Sequence, residues 1–334
     1  MSGVLISTCE ARVLRLREKA ADIQSVAPRI ETLRLTPGEG DILVEIRAAA
    51  INPSDAKAAI GMMPHAVFPR TAGRDWCGVV RAGPDHMIGK EYFGSSGHLG
   101  IIKDGTHATH LVVEAAAAVE KPVNLTSEEA AGLGVPFVTA TEGFRRSGMP
   151  KPGENVLIMG LNGKVGQAAA QIAAWKGARV FGVVRRDEPY AGTACAHVDV
   201  INSAAVDVAT RLRELTNGKG ADIVYNTVGD PYYEAGTKAL AIQGRQIFIS
   251  AINKIVQFDI FAFYRGRHSY FGADSLSLTS LATGDILREL LPGLASGHLK
   301  PFPIEPHAIY PLERAREAYI AVLGSARDRL VFKP

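Results

Sequence analysis

Residues 155–184 read NVLIMGLNGKVGQAAAQIAAWKGARVFGVV. The run VLIM is apolar without alternation, as a strand covered on both faces requires. Gly160-Leu161-Asn162-Gly163-Lys164-Val165-Gly166 follows. Next come a helix-length stretch over 164–177 and a second apolar strand over 178–184. Strand, glycine turn, helix and strand make one βαβ unit. The glycines let the chain turn sharply and let its backbone approach a pyrophosphate, while the helix N-terminus offers N–H donors and a favourable dipole. The spacing is G-x-x-G-x-x-G, with Asn162 where G-x-G-x-x-G has its middle glycine. The turn predicts dinucleotide binding through Gly160, Asn162, Gly163, Lys164, Val165 and Gly166. A tight turn without a ligand is the alternative, and for Lys164 a solvated surface position.

The same alternation continues downstream. VDVATRLRELTNG (206–218) reads as helix, ADIVYNTVG (221–229) as strand, YEAGTKALAIQG (233–244) as helix and RQIFIS (245–250) as strand. With right-handed crossovers, a doubly wound parallel sheet is the simplest topology. Upstream the texture differs. Short β-like runs, ILVEIRAAAI (42–51), CGVVRAG (77–83) and THLVVEA (109–115), are separated by Gly, Pro and Asp. The fold class expected is therefore α/β: a Rossmann-type doubly wound sheet plus a second, β-rich domain. Boundaries are expected at 1–126 for the β-rich domain, 127–272 for the parallel sheet and 273–334 for a tail. The tail carries helical stretches and ends in RLVFKP, a short closing strand.

The second strand's end selects the coenzyme. An Asp or Glu there would hold a ribose 2′-OH. Here the chain reads Val183-Val184-Arg185-Arg186-Asp187. Arg185 and Arg186 suit a 2′-phosphate, which a guanidinium meets with charge-assisted hydrogen bonds. The expectation is NADPH, the alternative a solvated basic turn.

Composition excludes several classes. The chain has 334 residues, 37 Lys+Arg against 34 Asp+Glu, and is 47% hydrophobic. Near-balanced charge argues against a nucleic-acid partner. No run of about 18 apolar residues suggests a membrane span, and the first residues do not read as a secretory signal. Cys9, Cys77 and Cys195 are isolated and form no C-x-x-C pair. These features together predict a reduced, cytoplasmic protein.

Five segments together resemble the medium-chain dehydrogenase/reductase superfamily, in its zinc-independent quinone oxidoreductase and enoyl reductase branch. They are AAAINPSDAK (48–57), TAGRDWCGVV (71–80), GVPFVTATEG (134–143), GLNGKVGQAAAQIAAWKGARV (160–180) and YNTVGD (225–230). The resemblance implies a GroES-like catalytic domain, a Rossmann coenzyme domain, an active site in the cleft between them and a homodimer. It also implies coenzyme contacts at Thr139, at Val228 in YNTVGD, and at Ser250 and Ala251. Where zinc relatives carry Cys, His and Cys, this chain has the Asn52–Asp55 segment, Arg74-Asp75 and Val135. Valine has no donor atom and arginine is a permanent cation, so no metal is expected. His107 and His110, in THATH, fall on opposite faces of a strand.

Without a Lewis acid, conjugate reduction asks least of the protein: hydride passes to a quinone or an α,β-unsaturated carbonyl. Candidate catalytic residues are Asn52 and Asp55, in the N-P-x-D segment, and His65. Enoyl reductases resembling this chain place a tyrosine shortly after that segment; here His65 is the only titratable side chain before Arg70. The alternatives are a helix cap for Asn52 and Asp55 and a surface loop for His65. Arg74 is expected either to pair with Asp75 or Asp55 or to meet an anionic substrate group. The competing functions are a zinc-type alcohol dehydrogenase and a catalytically silent NADPH-binding protein.

Overall fold

A computed structural model describes residues 8–324 and 327–334. They divide into two compact units. The first comprises the chain up to Val138 together with Ser275–Leu291 and Pro301–Pro334; the second comprises Thr139–Asp274 and Pro292–Lys300.

The first unit is β-rich. Its elements are β1 (Cys9–Leu16), β2 (Arg29–Leu35), β3 (Asp41–Ala50), α1 (Pro53–Ala59), β4 (Arg70–Thr71), β5 (Asp75–Ala82), β6 (Glu91–Ser95), β7 (His110–Glu114) and β8 (Val119–Glu120). The helix α2 (Ser127–Ser147) then leads into the second unit. β2, β1 and β4 form a small antiparallel sheet. β3 is the hub of the larger one, pairing with β5 and β7 along antiparallel registers. All three strand runs expected upstream, over 42–51, 77–83 and 109–115, lie on this larger sheet.

The second unit carries β9 (Asn155–Met159), α3 (Lys164–Trp175), β10 (Arg179–Val184), β11 (Val198–Asn202), α4 (Val208–Leu215), β12 (Ala221–Asn226), α5 (Tyr233–Ala239), β13 (Leu240–Phe248), α6 (Ile260–Gly266) and β14 (Ser269–Gly272). The sheet order is β11-β10-β9-β12-β13-β14, all parallel. Counted from β9 this is 3-2-1-4-5-6, the dinucleotide-binding doubly wound order, with the switch point between β9 and β12. β9 is buried at every position. Leu157, Met159, Phe181 and Val183 share one core with Val208 and Leu212 of α4. On the opposite face Tyr225, the register partner of Ile158, meets Phe144 of α2 edge-on at 5.0 Å. Period-2 alternation thus feeds two cores, and the missing polar alternation in VLIM has its cause.

Helix α7 (Ser280–Ala295) precedes β15 (Ile309–Tyr310), α8 (Ala315–Leu323) and β16 (Val331–Phe332). The expected closing strand is β16, which pairs antiparallel with β3 and parallel with β15. Tyr319, Leu330 and Phe332 enter one core with Ile42, Val44 and Trp76. Each large side chain buried there contributes about 1.5–3 kcal/mol.

Two local expectations change. The helix expected over 233–244 stops at Ala239, and β13 begins at Leu240. Leu240 and Ala241 are buried, and Leu240 pairs with Ala221, so strand pairing overrides helical propensity. The register then shifts, and Gln243 adopts φ 64°. β11 and β14, the two edge strands, were not anticipated; β11 reads VDVIN, five residues with Asp199 and Asn202 interrupting the apolar pattern.

Candidate functional site

β9 ends at Met159, and Gly160 turns the chain with φ 81°. A Cβ at Gly160 would lie 2.5 Å from Thr227 Oγ1 and 2.8 Å from Val228 Cγ2. A Cβ at Gly166 would lie 2.3 Å from the Gly160 carbonyl oxygen. Both glycines are therefore required by close approach. Gly163 is the N-cap of α3, with no side chain to satisfy the first-turn N–H groups. Lys164, Val165 and Gly166 form that first turn. A glycine-walled turn on a helix N-terminus fits the pyrophosphate of a dinucleotide.

The Asn162 side chain is hydrogen-bonded to a neighbouring loop. Its Nδ2 donates to the Pro189 carbonyl at 3.0 Å, and its Oδ1 accepts from the Ala191 N–H at 2.9 Å. Its own carbonyl accepts from Gln167 Nε2 at 2.9 Å.

The loops after β12 and β13 meet beside the turn. Asn226 Oδ1 accepts from the N–H groups of Val228 and Gly229. A Cβ at Gly229, where φ is 103°, would lie 2.5 Å from the Ser250 carbonyl oxygen and 2.7 Å from Ala251 Cα. Asp230 accepts from the N–H groups of Ile252 and Asn253, and these bonds draw its carboxyl below its usual range despite opposing desolvation. The structure therefore brings Gly160, Val228, Ser250 and Ala251 together. Thr139 lies buried in α2, where its carbonyl accepts from the Tyr225 hydroxyl at 2.7 Å.

Arg185 and Arg186 are both exposed but diverge. Arg185 lines a recess of about 440 Å³ with Ser203, Val228, Tyr232 and Ile252. Arg186 lines another of about 430 Å³ with Asp187, Glu188 and Asn202. Ser203, Tyr232, Asn226 and Asp230 are participants the sequence reading missed. Asn226 lies three residues before Gly229 and Asp230 directly after it, a usable signal for loop-shaping residues. Ser203 and Tyr232 meet only through tertiary packing, their hydroxyls 2.9 Å apart.

In the first unit the other candidates join a buried polar cluster. Asn52 is the N-cap of α1: its N–H donates to Asp55 Oδ2 at 2.8 Å. Its side-chain amide donates to Asp75 Oδ2 and accepts from Arg329 Nη1, each at 2.9 Å. Asp75 also accepts from Arg329 Nη2, Ser95 Oγ and the Val135 N–H. Arg329 further donates to the Gly132 carbonyl, so one buried ion pair anchors the start of α2. Removing one partner of such a pair costs about 3–5 kcal/mol. Arg329 stands 254 residues from Asp75 and has no local sequence signal.

Arg74 donates to the carbonyls of Ser96 and Ser275 and to Ser54 Oγ. Asp55 is wholly buried; desolvation, only partly offset by the Asn52 N–H and Arg74, pushes its carboxyl up to about 7. Its Oδ1 meets no hydrogen-bond partner among the described residues. His107 Nε2 lies 3.9 Å from Asp55 Oδ2, and Nδ1 meets the Tyr319 hydroxyl at 2.8 Å. Burial lowers the His107 imidazole to about 3. His65 is exposed, between α1 and β4.

These residues do not fit a zinc ion. The Asp75 carboxylate is committed to four donors, Arg74 brings a cation, and Val135 offers only its N–H. Among the described residues no three His, Cys, Asp or Glu side chains converge as a metal group.

Comparison with known proteins agrees with this architecture. Residues 38–123 match the alcohol dehydrogenase GroES-like domain, and residues 165–286 match the zinc-binding dehydrogenase domain. A zinc-type alcohol dehydrogenase-like protein of Schizosaccharomyces pombe is 37% identical over 269 residues, 79% of each chain. The phthioceranic/hydroxyphthioceranic acid synthase of Mycobacterium tuberculosis is 34% identical over 308 residues, 88% of this chain; the match spans only 14% of that synthase. A solved alcohol dehydrogenase superfamily protein from Novosphingobium aromaticivorans superposes with a TM-score of 0.84 at 27% identity, covering 97% of this chain and 99% of its own. Solved quinone oxidoreductases and enoyl reductases, at 21–25% identity, share the fold. With a six-stranded parallel sheet that carries a glycine turn at its switch point, and a separate β-rich unit, this chain belongs to the medium-chain dehydrogenase/reductase superfamily of oxidoreductases.

Proposed function

We propose that the protein is an NADPH-dependent, zinc-free reductase of a quinone or an α,β-unsaturated carbonyl compound. The observation that carries the reading is the recess beside the glycine turn, where Arg185 shares a wall with Ser203 and Val228. A guanidinium there would pair with a 2′-phosphate; Ser203, Asp207 and Tyr232 are the other polar residues of the recess. When bound, the nicotinamide supplies the hydride. Gly160, Gly163 and Gly166 would cradle the pyrophosphate, and Val228, Ser250 and Ala251 would border the remaining length of the coenzyme.

The donor set around Asp75 supports the zinc-free part. It leaves no group to polarise a simple ketone, whereas conjugate reduction spreads charge into an enolate or quinol oxygen that hydrogen bonds can hold. The resemblance to solved enoyl reductases and quinone oxidoreductases supports the same substrate classes. Of the catalytic candidates, Asp55 keeps an uncommitted oxygen and a pKa near neutrality, Asn52 is committed to Asp75 and Arg329, and His65 is solvent-facing.

The test is oxidation of NADPH and NADH against phenanthrenequinone, alkenals and crotonyl-CoA, with metal content measured on the same sample. Turnover with NADPH in zinc-free protein is expected. Arg185→Ala should weaken NADPH by about 1.5–3 kcal/mol and leave NADH nearly unchanged, while Arg186→Ala should do much less. Tight NADPH binding with no turnover on any acceptor would favour the silent coenzyme-binding protein, and stoichiometric zinc would favour the alcohol dehydrogenase.

A further inference from the structure

We infer that Asn162 is a latch that sets coenzyme selectivity: its side chain ties the glycine turn to the loop carrying Arg185. This rests on the reading of Arg185 as the 2′-phosphate ligand. Gly160, Gly163 and Gly166 have only backbone to offer a coenzyme. Asn162 instead spends its amide on a neighbouring loop, donating to the Pro189 carbonyl and accepting from the Ala191 N–H. Both ends of the planar amide are used at once, so position and orientation of the loop are both held.

The consequence follows from chain length. Thirteen residues, 185–197, lie between the end of β10 and the start of β11. The latch catches the chain at Pro189, leaving residues 185–188 as a short span. That span is held at one end by the pairing of Val184 with Asn202 and at the other by Asn162. Within it the Glu188 N–H donates to the Arg186 carbonyl at 2.9 Å, tightening the turn. A span this short restricts where each arginine can point, and the two do point into different recesses. Gln167, itself buried, braces the latch by donating to the Asn162 carbonyl from the second turn of α3. Coenzyme turn and selectivity loop are therefore one hydrogen-bonded piece, and a glycine at 162 would separate them.

Releasing the latch frees a four-residue span into a thirteen-residue loop. The loop-closure relation makes that about a sixfold loss in the population that presents Arg185. The loss falls on the coenzyme that needs Arg185 and not on its dephosphorylated counterpart.

The experiment measures dissociation constants of NADPH and NADH, by fluorescence titration, for the wild type, Asn162→Ala, Arg185→Ala and the double variant. Ala191→Pro, which removes the donor N–H from the loop side, is a second way to open the latch should Asn162→Ala fold poorly. The expected result is about a sixfold fall in NADPH preference for Asn162→Ala, with NADH affinity kept. On the Arg185→Ala background the same substitution should do nothing, since the latch acts through that arginine. Amide exchange over 185–191 should also quicken in the coenzyme-free variant. An unchanged preference in Asn162→Ala, where Arg185→Ala has lowered it, overturns the latch and spares the reading of Arg185. Equal weakening of both coenzymes also overturns it, placing Asn162 at the pyrophosphate instead. An Arg185→Ala variant with unaltered preference removes the reading of Arg185, and the latch with it.

Discussion

Asp55 and His107 sit 3.9 Å apart, both wholly buried, and desolvation moves them in opposite directions. Between about pH 4 and 7 the native protein keeps a proton on Asp55 that the unfolded chain has released. Stability from this group therefore falls as pH rises through that window. His107 does the reverse: between about 3 and 6.5 the unfolded chain binds a proton that the native protein does not, so stability rises with pH. The two slopes oppose each other over most of the same range. Asp55→Asn removes the first and leaves the second. The unfolding free energy of Asp55→Asn relative to wild type should rise from pH 4 to pH 7, by at most about 4 kcal/mol. Urea unfolding at a series of pH values measures it, and a flat difference would contradict a neutral, buried Asp55. At this scale the sequence was only half legible. N-P-x-D announces a helix cap, and Asn52 and Asp55 do form one. Nothing local announces Arg329, because the charge that answers Asp75 comes from the far end of the chain.

Among the elements, the turn into α3 was the most legible, since each glycine there answers a steric demand within the same few residues. Gly166 shows how tightly: its Cα packs against the carbonyl of Gly160, and a Cβ would intrude to 2.3 Å of that backbone oxygen. The helix cannot retreat cheaply, because Ala168, Ala169, Ile172 and Ala173 of α3 are fully buried. Gly166→Ala should cost about 1–3 kcal/mol of stability and weaken NADPH and NADH alike. Thermal unfolding and coenzyme titration test both parts. Unaltered affinity for both would show that the turn is not the pyrophosphate site. The α5–β13 boundary shows the opposite case. Tyr233–Gly244 has a helical composition, and only the pairing of Leu240 with Ala221 turns its second half into strand.

For the whole molecule, the parallel sheet ends at β14, an edge strand of four residues. Near it in sequence, Ile255, Ile260, Phe261 and Tyr264 are exposed, Ile260 and Phe261 by about two thirds of their surface. A strand edge left unpaired among the described residues, with exposed apolar side chains near it in sequence, is a surface on which another chain can dock. The homodimer expected from the sequence would use it. Sedimentation equilibrium should show a dimer for the wild type and a monomer for the double substitution Ile260→Asp, Phe261→Asp, with coenzyme affinity retained. A wild type that stays monomeric at micromolar concentration would overturn the dimer expectation. No helix among the described residues is long and apolar enough to cross a membrane.

Apolar periodicity and glycine spacing were enough to read the βαβ units, the glycine turn into α3 and the return of the tail as a closing strand. Each of these depends on residues close together in the chain, whose sterics and burial act locally. The divergence of Arg185 and Arg186, the clamp of Arg329 on Asp75, and the Asp55–His107 pair emerged only on folding. The last two depend on groups from distant segments sharing a low-dielectric space, where direction and desolvation, rather than residue type, decide what a side chain can do; the first is set at the exposed end of β10 by the recesses on either side of it.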